Sequence, residues 1–244
     1  MKRLAALCLT LLLLSFCWRV SAASFDSHAE AVPALRRFYF SIGGELPLRS
    51  WEIQWEDGGF QICENGGEPR SFPSELAVTL LEILEDFDVA SWDGFHDYDP
   101  DVLDGMSFSL EVEYADGTLV FASGENAFPE GYHEASSAFM TLLHNEKMAF
   151  LSGLYRYDGH GESDAVVTLY EDGTWTFSAE YGDGLIRKGK WSVYDNAVYV
   201  TSENSESLPF LFGIEDDALL YFTMRSEPEF LPSEIRDGAR FVRQ

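Results

Sequence analysis

The chain has 244 residues, with 42 acidic against 16 Lys and Arg, a formal net charge of −26 and an aromatic share of 15%. That balance argues against nucleic acid and against anionic membrane surfaces, since both need cationic contacts. It fits solubility in an extracellular medium, with a cationic ligand or calcium as the functional alternative.

Residues Met1–Ala22 have the form of a secretory signal peptide. Lys2 and Arg3 supply the positive start, Leu4–Trp18 is apolar but too short for a bilayer span, and Val20-Ser21-Ala22 offers small residues for cleavage before Ala23. Phe16, not a small residue, precedes Cys17, which argues against a lipid anchor. The expected product is a secreted chain with no membrane in its mature form. Two of the three cysteines fall in the signal, so Cys63 stands alone and no internal disulfide is possible. Cys63 adjoins Ile62 and Phe60 as a small core residue, and no local base or orienting group makes it a nucleophile.

Beyond an Ala-rich lead at Ser24–Leu35, Arg37–Ile42 alternates like a strand. Arg49–Trp55 and Gly59–Cys63 form a hairpin across Asp57-Gly58, and Glu64–Pro73 reads as a polar loop. A helix follows, capped by Ser74, with Ala77, Leu80, Leu81 and Leu84 as its apolar stripe. The acidic stretch Ser91–Asp104 comes next. Phe108, Leu110 and Val112 then alternate with polar residues and turn at Asp116-Gly117 into Leu119–Ala122. Gly124–Gly131 is a loop, and Tyr132–Asn145 is a second helix with Ala135, Ala138, Phe139, Leu142 and Leu143 inward. The expectation is an α+β domain over 23–147: an antiparallel sheet with two helices on one face.

From 148 to 244 the pattern is all strand: Gly153–Tyr157, Ala165–Tyr170, Thr174–Tyr181, Ile186–Val193, Ala197–Thr201, Pro209–Ile214, Ala218–Met224 and Arg240–Val242. Trp175, Phe177, Ala179 and Tyr181 alternate with polar residues, and Asp172-Gly173 supplies a tight turn. Eight short strands at near-regular spacing predict an all-β eight-stranded antiparallel barrel. The polar triplet Asn145-Glu146-Lys147 marks the expected boundary.

Gly153-Leu154-Tyr155 on the first of these strands and Asp237-Gly238-Ala239-Arg240-Phe241 on the last resemble the lipocalin-like small barrels of secreted bacterial proteins. In lipocalins a Gly-x-Trp on the first strand packs near an Arg from the end of the barrel; here Tyr155 stands in place of the Trp. The first half, around Val102-Leu103-Asp104-Gly105 and Gly124-Glu125-Asn126-Ala127-Phe128-Pro129, is similar to uncharacterised secreted proteins of anaerobic Gram-positive bacteria. No activity comes with that similarity.

Asp97, Asp99, Asp101 and Asp104 are a candidate calcium loop by their oxygen ligands. They are not an EF-hand, because its required Gly and Glu positions hold Val102 and Phe108. Otherwise the Asp side chains stabilise turns. His96, His133, His144 and His160 have no zinc-ligand spacing, and Gly159-His160-Gly161-Glu162-Ser163 lacks the frame of a nucleophile elbow. Trp175, Phe177, Tyr181, Trp191, Phe210 and Phe212 either fill the barrel or line a ligand cavity in it. Arg187, Lys188 and Lys190 are read as an outward basic cluster answering nearby acids. The leading functional expectation is a secreted, non-enzymatic binding protein for an extracellular ligand or protein, with no cofactor. A lipocalin-like carrier of a small apolar molecule and an extracellular hydrolase are the alternatives.

Overall fold

The computed structural model describes residues 34–44, 48–102, 105–159, 164–179, 185–194, 197–203, 210–215, 218–222 and 238–244. The expected signal peptide at 1–22, the Ala-rich lead up to 33, Asp104, His160, Ser163 and Tyr181 lie outside them, and of Phe210 only the backbone is described. The chain divides into two compact units, Met1–Met140 and Thr141–Gln244.

The first unit is built on β1 (Leu35–Gly43), β2 (Arg49–Glu56), β3 (Gly59–Glu64), β4 (Arg70–Phe72), β5 (His96–Tyr98), β6 (Ser107–Tyr114) and β7 (Leu119–Glu125). They form one sheet in the order β4-β3-β2-β1-β6-β7-β5. Alternation makes one face apolar, with Phe38, Phe40, Trp51, Ile53, Phe60, Leu110 and Val112 all buried. On the other face Arg37 reaches across two strand gaps, donating to Glu52 at 2.6 Å and to Glu111 at 2.5 Å. Asp57 and Gly58 both take positive φ, the backbone that a two-residue hairpin turn needs.

The helices are α1 (Ser74–Asp86) and α2 (Tyr132–Leu151). The expected stripe of α1, Ala77, Leu80, Leu81 and Leu84, is buried. Ser74 does not cap it. Pro73 occupies the cap position in an extended conformation, and its carbonyl accepts from the Leu76 and Ala77 N–H groups. A left-handed Asp88 and a short 3-10 helix, Val89–Trp92, follow the end of α1. Phe139 on α2 meets Phe38 and Phe40 edge-on, with ring centroids 5.2 and 5.4 Å apart.

Two expectations need correction here. The sheet is mixed, because β5 runs parallel to β7. β4 and β5 were not expected at all. Each has three residues, too few to show a period, and β5 is exposed along its length.

The second unit is a closed barrel of β8 (Gly153–Tyr157), β9 (Ala165–Leu169), β10 (Thr174–Ala179), β11 (Leu185–Tyr194), β12 (Ala197–Ser202), β13 (Phe210–Glu215), β14 (Ala218–Phe222) and β15 (Arg240–Arg243). Each strand pairs antiparallel with the next, and β15 pairs with β8 to close the wall. A closed antiparallel barrel of eight strands is consistent with the lipocalin-like architecture.

Its turns repeat a chemistry seen in the first unit. Tyr170-Glu-Asp-Gly-Thr174 and Tyr114-Ala-Asp-Gly-Thr118 fold alike: Tyr and Thr close the loop by backbone bonds, and Gly alone takes a positive φ. In both, the Asp carboxylate accepts the N–H of the Thr two residues on, at 2.8 and 2.9 Å. The Thr174 hydroxyl and then its N–H hold the Asp172 carboxyl below the usual carboxylate range, and the Thr118 N–H and then its hydroxyl do the same for Asp116.

One end of the barrel is closed by the last turns of α2. Met148 and Leu151 belong to the same apolar cluster as Tyr155, Trp175, Trp191 and Phe241. The Tyr155 hydroxyl donates to the Leu151 carbonyl at 2.7 Å. Arg243 donates to the Phe150 and Ser152 carbonyls at 2.8 and 2.7 Å, satisfying acceptors that the helix end leaves open. Gly153 leaves room for this, since a Cβ there would lie 3.1 Å from Arg243 Nε. The arginine beside the Gly-x-Tyr strand is therefore Arg243, which pairs with Tyr155 across β15 and β8. The polar triplet at 145–147 lies inside α2, which runs on to Leu151.

Candidate functional site

The barrel has an inner and an outer face, and register assigns each side chain to one of them. Trp175, Phe177, Trp191 and Phe212 lie inside, each at most 4% exposed, and belong to the core cluster. Their polar tips are satisfied. Trp175 Nε1 donates to the Thr201 carbonyl at 2.9 Å, and Trp191 Nε1 donates to the Tyr170 carbonyl at 2.8 Å. The first of these bonds crosses Gly189, where a Cβ would stand 1.7 Å from the Thr201 carbonyl oxygen. Glycine at 189 is what lets the indole lie flat across the wall.

Arg187 is not part of an outward basic cluster. It pairs with Phe177, and residues directly opposite in a ladder share a face, so Arg187 belongs to the inner one. It is half-buried, with Nε out of solvent. Lys188 and Lys190 do point outward, opposite Thr176 and Thr174. Lys188 pairs with Glu203 at 3.0 Å.

The outer face over β10, β11 and β12 carries hydroxyls, lysines and two tyrosines. β10 contributes Thr174, Thr176 and Ser178; β11 contributes Ile186, Lys188, Lys190, Ser192 and Tyr194; β12 contributes Ala197, Tyr199 and Thr201. No Asp or Glu stands among these positions. Ser192 faces Tyr199 and Tyr194 faces Ala197, so the two tyrosines are diagonal neighbours. Lys190, Ser192, Tyr194, Tyr199 and Thr201, with Trp191 behind them, border an open depression of about 490 Å³.

In the first unit two carboxylates of the acidic loop accept from the loop's own backbone. Asp97 accepts from the Tyr98 N–H at 2.8 Å and Asp99 from the Asp101 N–H at 3.0 Å. Among the described residues no group of three or more His, Cys, Asp or Glu is placed to hold a metal ion. Cys63 is half-buried, and its thiol donates to the Gly67 carbonyl at 3.0 Å.

Sequence reading missed one close polar pair. The parallel pairing of β5 with β7 sets His96 beside Ser123, with Nδ1 and Oγ 2.7 Å apart on an exposed surface. An activated serine needs a further group to orient the imidazole, and the hydrogen bonds of the described residues supply His96 with none. No signal in the sequence foretells the pair, since 27 residues separate its members.

Among the described residues no helix is long and apolar enough to cross a membrane. No protein-family model matches this chain, and no curated protein matches it.

Proposed function

We propose that the chain is a secreted binding protein that performs no chemistry of its own, and that its contact surface is the outer barrel wall over β10, β11 and β12. One observation carries the reading. Lys190, Ser192, Tyr194, Tyr199 and Thr201 border an open depression of about 490 Å³ on this wall, with Tyr194 exposed and Tyr199 half-buried. Exposed aromatic rings ringed by polar groups mark contact surfaces.

Native mass spectrometry of the protein isolated from its own medium tests this. The expected result is a retained partner that is lost when Tyr194→Ser and Tyr199→Ser are combined. A partner retained equally by that variant contradicts the assignment of the wall.

A second reading, a carrier in the lipocalin manner, has its own support. Arg187 stands on the inner face beside Phe177, where a cation would receive the acidic head of an otherwise apolar ligand. Under that reading Trp175, Phe177, Trp191, Phe210 and Phe212 form the apolar lining. Arg187→Leu then abolishes binding of a fluorescent fatty acid, whereas the outer-wall variant leaves it unchanged.

A further inference from the structure

We propose that Asn65 is a site of self-modification, at which the fold itself promotes loss of the side-chain amide; it is a reaction of the chain on itself, independent of the binding surface. Asn65-Gly66 is the one Asn-Gly pair in the sequence. Both residues take positive φ, 53° and 69°, and the Gly67 N–H donates to the Glu64 carbonyl across them at 2.9 Å. That is the tight turn which Asn-Gly favours. It follows directly on the β2–β3 ladder, whose end pair is Trp51 with Glu64. The Asn65 N–H donates to the Ser50 carbonyl at 2.8 Å, and the Ser50 N–H donates to Asn65 Oδ1 at 2.8 Å. In a continuing strand the second bond would go to the main-chain carbonyl. Here the side-chain carbonyl fills that place.

A backbone N–H aimed at a carbonyl oxygen does more than hold it. When the Gly66 nitrogen attacks Cγ of Asn65, a C–N bond forms, the nitrogen's proton goes to water, and negative charge develops on Oδ1. Ser50 already donates to that atom, as an oxyanion donor does. The Cγ–Nδ2 bond then breaks, ammonia leaves with a proton from water, and a five-membered imide remains. Water opens the imide at either carbonyl, giving aspartate or isoaspartate at position 65. Access is open: the turn is exposed, and nothing lies within 4 Å of where a Gly66 Cβ would stand. Two other described asparagines lack these conditions. Asn126 precedes Ala127 and its Nδ2 donates to the Val102 carbonyl at 3.2 Å, and Asn145 precedes Glu146 inside α2. The Cγ carbonyl oxygen survives in the imide and in both products, so each can keep the Ser50 bond. In isoaspartate that carbonyl becomes main chain, and it already occupies a main-chain position in the ladder. The modification therefore adds a negative charge without removing the end of the hairpin.

Peptide mapping by mass spectrometry tests this on the full chain, incubated in mildly alkaline heavy-oxygen water, native and in concentrated urea. Heavy oxygen is expected at residue 65, as aspartate and isoaspartate, ahead of Asn126 and Asn145. The native chain should react several-fold faster than the unfolded one, because unfolding removes the Ser50 donor. Ser50→Pro deletes that N–H and should bring the native rate down to the unfolded one; the urea comparison decides alone if this variant does not fold. The charge-shifted product should keep the denaturation midpoint of the parent, and a lowered midpoint overturns the retained Ser50 bond. An amide that persists at Asn65, a native rate equal to or below the unfolded rate, a rate unchanged in a folded Ser50→Pro variant, or label that enters Asn126 or Asn145 first each overturns the proposal.

Discussion

Trp175 shows how closely single residues constrain one another in the barrel. Its ring is buried on the inner face, and its N–H reaches the Thr201 carbonyl across Gly189. Trp175→Ala removes the ring and leaves a void, with an expected loss of about 3–5 kcal/mol in denaturant unfolding. Thr176→Ala, one residue on and facing outward, should change stability by less than about 0.5 kcal/mol. Gly189→Ala should be disruptive although it adds a single methyl, because the new carbon meets backbone and indole at once. A variant as stable as the parent would show that the indole does not cross the wall there. Asp172 permits a test by pH. The Thr174 hydroxyl, then the Thr174 N–H and the charge of Lys190, hold its carboxyl below the usual range. A folded-state value lower than the unfolded one means that the ionised turn stabilises the fold above the ordinary carboxylate range. That contribution disappears as pH falls through the folded value. Thr174→Val should move the Asp172 titration, followed by NMR, back up toward the ordinary value.

At the scale of elements, the hairpins were legible because their signals are local. Asp57-Gly58, Asp116-Gly117 and Asp172-Gly173 each punctuate two alternating runs, and the register on either side follows from the turn. The parallel β5 was not legible, since its pairing joins segments far apart in sequence and its own residues are exposed. Arg187 was misread for a related reason: a charge beside two lysines looks outward until register assigns its face. The end of α2 was misread because Asn145-Glu146-Lys147 looks like a linker. Glu146 is in fact buried, and Met148 and Leu151 beyond it belong to the barrel's apolar cluster. This gives a prediction. A fragment 141–244 should unfold cooperatively. A fragment 152–244 lacks Met148, Leu151 and the carbonyl of Phe150 that Arg243 binds. Burying each of those two side chains is worth about 1.5–3 kcal/mol, so the shorter fragment should be less stable by about 3–6 kcal/mol or fail to fold. Equal denaturation midpoints would show that the helix end is not part of the barrel's core.

Over the whole molecule, composition spoke to partners before any site was visible. The net charge of −26 argued against polyanions, and the barrel wall then supplied a depression bordered by two tyrosines and by Lys190. The candidate face could not be read from sequence, because Ser178, Lys190, Tyr194 and Tyr199 become one surface only when three strands pair in register. The aromatic residues that sequence singles out, Trp175 and Phe177 among them, are the buried ones. The exposed Tyr194 and half-buried Tyr199 carry no local pattern of their own. The central claim, binding through this wall, is tested most directly by covalent footprinting of lysines and tyrosines on the intact protein with its retained partner and after stripping. The account predicts that Lys188, Lys190, Tyr194 and Tyr199 are protected in the loaded protein and labelled in the stripped one. Equal labelling of these four in both states, with protection confined to residues on other elements, would contradict it.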